Sequence, residues 1–220
     1  AVDWVDIELE DAVQTLDATQ TLQACYDAPD FPNQFCDNFT RDADGQVTFI
    51  QTGYENAARR NFQGLISELA WRINTPFLGA NSTVNLGVNY IYYDELEFQV
   101  GEGDLTTLRG SIGYSKHQAT TNITYRNEGF SWQVQAQYFG PAKIDPDAPD
   151  ETYEFPGVDD VIFWNTSMSY AVDDRLELRF IVDNVLDTDP PFPSPGGGGR
   201  VTYFDGILGR YFKVGARVKF

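Results

Sequence analysis

Few side chains in this sequence could do covalent chemistry. It holds two cysteines, Cys25 and Cys36, and one histidine, His117. The cysteines enclose a Pro/Asn/Asp-rich segment that has no core of its own. A disulfide is therefore the expected staple, worth about 3 kcal/mol on the chain-entropy model, and it implies an oxidising compartment. The alternative is two unrelated thiols. A metal site would need more ligands than these, and His117 lies far along the chain. No Ser/His/Asp set can be placed around His117. Gly196 to Gly199 follows prolines and lacks a Lys-Ser/Thr, so it is a flexible loop rather than a phosphate cradle. No enzyme activity, metal or cofactor is expected. The formal charge of -18 argues against a nucleic-acid partner. Acidic residues crowd Asp27 to Asp44 and Asp145 to Asp160. They are either solvated loop residues or holders of divalent ions.

The elements that must position these groups are strands. In the last stretch, Phe212, Val214, Ala216, Val218 and Phe220 alternate with Lys213, Gly215, Arg217 and Lys219. Trp132, Val134, Ala136 and Tyr138 alternate with Gln133, Gln135 and Gln137. Similar period-two runs cover Ala1 to Glu10, Gln46 to Ile73, Thr83 to Phe98, Leu105 to Tyr125, Val161 to Val172 and Arg175 to Asp183. Ala57-Ala58-Arg59-Arg60 is assigned to strand, since Leu65, Leu69, Trp71 and Ile73 keep period two after it. Leu105 to Tyr125 is expected as one strand, with a bulge near Lys116 to Gln118 absorbing a slip of parity. Gln99 to Asp104 is expected as a turn. A short surface helix is expected within Asp11 to Ala24.

About eight antiparallel strands result. The connections after the first, third, fifth and seventh are mostly long or Pro/Gly-rich, with loops at about 11–45, 140–160 and 184–210. Those after the second, fourth and sixth are short. This asymmetry, with long strands and with Trp4, Trp71, Trp132 and Trp164 near strand ends, is that of a transmembrane β-barrel. No run reaches the ~18–20 apolar residues of a membrane helix, which excludes helical spans only. In a barrel, Lys213, Arg217 and Lys219 must face the lumen, because a lysine or arginine costs roughly 2–4 kcal/mol at the lipid midplane.

Lys213-x-Gly215-x-x-Val218-x-Phe220 resembles the C-terminal β-signal of bacterial outer-membrane barrels, which the barrel-assembly machinery reads. Val182-Asp-Asn-Val-Leu-Asp-Thr-Asp-Pro-Pro191 and Gly209-Arg-Tyr-Phe-Lys-Val-Gly-Ala-Arg-Val-Lys-Phe220 resemble the penultimate-strand and terminal patterns of the TonB-dependent receptors. Asn56 and Arg60 to Glu68 resemble a further family strand more loosely, with the acidic residue shifted.

The resemblance implies an all-β antiparallel barrel of 22 strands, its lumen filled by an N-terminal plug. Residues 1–220 would be about eight C-terminal strands of that wall. Ala1 to Trp4 carries no signal peptide, and Val2 to Leu9 already reads as mid-sheet, so the plug and the remaining strands are expected in a preceding or accompanying portion. The implied setting is the bacterial outer membrane, with its lipid as surroundings and the TonB complex reached through the plug. The implied function is uptake of a scarce nutrient: a siderophore, cobalamin, haem or oligosaccharide. Tyr26, Phe31, Tyr153, Phe155, Tyr203 and Phe204 are candidates to stack on such a ligand, or else pack the loops together. Acidic loops disfavour a highly anionic chelate, and through divalent ions they would reach lipopolysaccharide. Two alternatives stay open: a passive porin or adhesin barrel, and a secreted carbohydrate-binding β-sandwich. The sandwich requires polar outer faces.

Overall fold

The computed structural model describes residues 1–100, 105–191 and 206–219, with all their side chains except those of 14 and 55–58. Eight strands form the main run of the sheet, with the short Thr106–Thr107 strand beside the third: β1 Val2–Thr15, β2 Tyr54–Asn74, β3 Thr83–Val100, β4 His117–Asn127, β5 Phe130–Phe139, β6 Val161–Ala171, β7 Leu176–Asp183 and β8 Tyr211–Val218. They lie side by side in chain order, and β1 and β8 each have one neighbour. From β3 to β8 the pairing is antiparallel in unbroken register. Such a meander needs no crossover, so each hairpin can form locally.

The connections differ sharply. Glu128 and Gly129 alone join β4 to β5, with Glu128 at φ 47. Asp173 closes the turn between β6 and β7, its carboxylate accepting the N–H groups of Arg175 and Leu176 at 2.8 Å each. Between β2 and β3, buried Thr75 and Ser82 bond to each other, and the Tyr125 hydroxyl donates to the Leu78 carbonyl at 2.9 Å.

The chain divides into two compact units. One comprises Ala1–Trp4, Gly64–Tyr93 and Gly110–Phe220. Its core lies where the loops meet the start of β6: Ile112, Ala142, Val158, Val161 and Phe163 are buried together, with Ala142–Lys143 paired to Gly157–Val158. The other comprises Val5–Gln63 and Asp94–Arg109. Here helix α1, Ala18–Tyr26, packs through Ala24 and Cys25 on Leu16, Phe35 and Val100. A capping box starts the helix, with the Asp17 carboxylate accepting Gln20 N–H and the Gln20 side chain accepting Asp17 N–H.

Three expectations are corrected. β1 does not end at Glu10 but runs to Thr15, passing Asp11 at φ 52, so the helix starts at Ala18. Gln46 to Ile73 is not one extended run: Val47–Ile50 folds back on Phe39–Arg41 before β2 begins. Leu105 to Tyr125 is not a bulged strand. Thr106–Thr107 pairs back on Glu97 and Phe98, and β4 starts only at His117. The intervening chain turns at Gly110 (φ 82) and Gly113 (φ 99), and Ile112 enters the loop core. The slip of parity is therefore a break in the sheet. The expected turn at Gln99 to Asp104 falls mainly on 101–104, outside the described residues, and β3 continues through Val100. The Ala57 to Arg60 stretch is strand, inside β2.

Candidate functional site

The strand registers place amide side chains side by side on one face. Asn122 lies opposite Gln135, and Gln135 opposite Asn165. Asn122 Oδ1 accepts from Gln133 Nε2 and Gln135 Nε2, both at 3.0 Å. Asn165 Nδ2 donates to Gln135 Oε1 at 3.2 Å and Gln137 Oε1 at 3.3 Å. Asn165 Oδ1 accepts the Asn184 backbone N–H at 2.9 Å. Farther along the same face, Lys213 pairs with Asp183 and Arg179 with Glu177. Apart from Phe163 and Ile181, these positions are polar and largely bonded to one another.

The opposite face is apolar. It carries Val84, Leu86 and Val88 on β3, Ile123 on β4, and Trp132, Val134, Ala136 and Tyr138 on β5. Trp164, Met168, Leu178, Phe180, Phe212 and Val214 continue it. Much of it is exposed among the described residues: Val214 is 82% exposed, Phe212 57% and Trp132 43%, while Val182 on the same face is buried. A water-soluble sheet exposes its polar face and buries the other. Here the ordering is inverted, which fits a hydrocarbon neighbour. Thr166, a polar residue on this side, is satisfied within it: its Oγ1 donates to the Gln133 carbonyl at 2.9 Å and accepts Trp132 Nε1 at 2.8 Å. This distribution contradicts the β-sandwich alternative, whose outer faces had to be polar.

Aromatic groups mark the apolar band. Tyr125 lies opposite Trp132 near the short-turn ends of β4 and β5. Toward the other ends, His117 Nδ1 sits 2.7 Å from the Tyr90 hydroxyl, and its ring stacks on Tyr92 at 5.0 Å. The lone histidine, given no partner by the sequence, thus has two tyrosines from β3. Among the described residues no group of three or more His, Cys, Asp or Glu side chains could hold a metal ion.

A groove of about 670 Å³ opens on the polar face. Gln137, Asn165, Asp183, Asn184, Tyr211 and Lys213 line it, with Phe163 and Gly206 to Gly209. The amides offer donors and acceptors, and the Lys213–Asp183 pair leaves no net charge. This arrangement can bind or guide a polar molecule.

Of the residues singled out for the terminal signal, Lys213 is paired with Asp183, Gly215 lies opposite Arg179, and Val218 ends β8 half-exposed. Phe220 lies outside the described residues, as do Tyr203 and Phe204 and the Gly196 to Gly199 run. Lys213 and Arg217 share a parity with Asp183 and Glu177, on the polar side.

Cys25 and Cys36 are joined by a disulfide. Beside it Tyr26 stacks on Phe31 at 5.4 Å and meets Phe39 at 5.9 Å. The Arg41 guanidinium lies over Tyr26 and Phe39, and its Nη2 donates to the Tyr26 hydroxyl at 2.9 Å. Tyr26 and Phe31 therefore pack with each other while staying half-exposed. Phe39 and Arg41 were missed by the sequence reading, since only the hairpin Phe39–Arg41 with Val47–Ile50 brings them there. Tyr153 and Phe155 belong to the other unit, after the short turn Asp150–Thr152. Several loop acids serve the backbone: Asp42 accepts the N–H groups of Asp44 and Gln46, and Asp145 that of Asp147. Asp150 pairs with Lys143.

No curated protein and no solved structure matches this chain. Residues 1–185 match the family model described as TonB dependent receptor-like, beta-barrel. With its largely exposed apolar face, amide-lined polar face and alternating loop lengths, the chain belongs to the TonB dependent receptor-like β-barrel family.

Proposed function

We propose that this chain is wall and loop structure of a bacterial outer-membrane importer, energised through TonB, that takes up a scarce nutrient. The family is one of outer-membrane transporters. The observation that carries the reading is the inverted sheet: large apolar residues lie exposed on one side, while amides and ion pairs satisfy each other on the other. Such a sheet suits a wall between lipid and a wet interior. β1 and β8 are left to pair with the rest of a 22-stranded wall, since an unpaired edge in hydrocarbon costs several kcal/mol per amide. A plug fills the lumen and carries the TonB contact, and the C-terminal strand is delivered by the barrel-assembly machinery. Siderophore, cobalamin, haem and oligosaccharide are the candidate cargoes. The acidic loops favour a neutral or cationic one.

The test is nutrient uptake by cells carrying the intact receptor, with and without a working TonB system and with the proton gradient collapsed. Uptake of one cargo from the panel should vanish in both de-energised arms. Uptake that persists in both would establish a passive porin instead.

A further inference from the structure

Period-two alternation forbids some errors of strand pairing and permits others. A one-residue slip of β8 along β7 would turn Lys213 and Arg217 into lipid. A two-residue slip keeps every side chain on its proper face, so parity does not oppose it. It displaces the strand by about 7 Å, two residues at ~3.4 Å each. The observed register, Leu178 opposite Ala216 and Asp183 opposite Tyr211, must therefore be chosen by something else.

Asn184 follows β7 directly, at φ 51 and only 3% exposed. Its side chain makes two bonds to one residue: Nδ2 donates to the Thr188 carbonyl at 2.8 Å, and Oδ1 accepts Thr188 N–H at 2.9 Å. Its backbone N–H is held by Asn165, and Val185 N–H donates to the Trp164 carbonyl at 2.7 Å, so the turn is tied to β6. The turn presents Asp187, at φ 58, whose Oδ1 accepts Arg210 N–H at 2.6 Å. Arg210 immediately precedes β8. Gly209 (φ 63) leaves room for that contact, since a Cβ there would lie 2.8 Å from Asp187 Oδ1. One carboxylate thus bonds the residue at which the chain re-enters the sheet.

We propose that Asn184 and Asp187 form a register clasp: they are positioning residues that select one height for β8 among the pairings parity allows. The clasp also sets the level at which the free edge of β8, with Lys213, Gly215 and Val218, meets the next strand or the machinery that reads it. The geometry of the clasp is independent of the cargo and of the energy source.

Cysteine pairs on the apolar face read the register directly. In the intact receptor, a Leu178→Cys/Ala216→Cys pair reports the observed register, and Leu178→Cys/Val214→Cys and Leu178→Cys/Val218→Cys report slips of two residues either way. With the clasp intact, oxidation should crosslink 178 to 216 almost alone. With Asn184→Ala and Asp187→Ala, the ratio of slipped to native crosslink should rise about tenfold, the factor expected for about one net hydrogen bond. Asp187→Asn, which keeps an oxygen acceptor, should restore most of the native ratio. Asn184→Gly keeps the left-handed backbone and loses the side-chain bonds, so it tests the same point where the alanine variants fail to insert. An unshifted ratio in inserted Asn184→Gly or in the double alanine variant would overturn the clasp. Uptake plays no part in this readout, so it stands or falls separately from the transport proposal.

Discussion

Thr120 and Thr121 are a matched pair of probes for which side of the sheet meets lipid. They are adjacent, identical and in the middle of β4, and Thr121 is four residues from both His117 and Tyr125 at the two ends of the apolar band. From His117 to Tyr125 the strand rises about 21 Å, eight residues at ~3.4 Å with a tilt near 40°. Residue 121 therefore lies close to the midplane. Thr121 sits opposite Val88 and Ala136, on the apolar side. Thr120 sits opposite Asn89 and Gln137, and it lines the same depression as Glu68. A lysine at 121 must put its ammonium into hydrocarbon or snorkel far along the strand, at about 2–4 kcal/mol. That is roughly a 30- to 700-fold loss in the folding equilibrium. A lysine at 120 meets amides, water and the Glu68 carboxylate, and should stay within about 0.5 kcal/mol of the parent. The assay is guanidinium titration of the intact receptor folded into phospholipid vesicles, with heat-modifiable gel mobility counting the folded fraction. Equal losses for T120K and T121K, or a larger loss for T120K, would refute the assignment of faces.

Replacing both cysteines by serine should loosen the unit built on Leu16, Cys25 and Phe35 by about 3 kcal/mol. Limited proteolysis should then cut faster between Asp27 and Gly53, while heat-modifiable mobility of the barrel stays as in the parent. The backbone N–H groups of Arg175 and Leu176 hold the Asp173 carboxyl below the usual carboxylate range. A depressed carboxyl stabilises the turn above its unfolded pKa, and the contribution is lost as pH falls through its folded value. Hydrogen exchange at Arg175 and Leu176, corrected for intrinsic rates, should lose protection on acidification in the parent. In Asp173→Ala the protection should already be low at neutral pH and show little further change.

Much of the sheet is legible in the sequence. Trp132 to Tyr138 and Phe212 to Val218 announce a strand with one greasy side, and the alternation of short and long connections orders the hairpins. The Ile112 region is not legible in the same way, because an apolar residue beside a parity slip looks the same whether it sits on a bulged strand or in a loop core. The two glycines at positive φ, Gly110 and Gly113, supply the turn that decides it. His117 appeared isolated because its partners, Tyr90 and Tyr92, are distant in sequence and adjacent only across the β3–β4 pair. The pattern from Val182 to Pro191 was visible as a motif, but its work on Asn165 and Arg210 was not.

What the sequence settles alone is sidedness, because each residue's polarity and its odd or even place are both local properties, and lipid and water act on them one strand at a time. What only the tertiary structure decides is height: which amide meets which across neighbouring strands, and where a returning chain rejoins the sheet. Shifts by an even number of residues leave every face unchanged, so polarity cannot choose among them. Hydrogen bonds between residues far apart in the chain must do so.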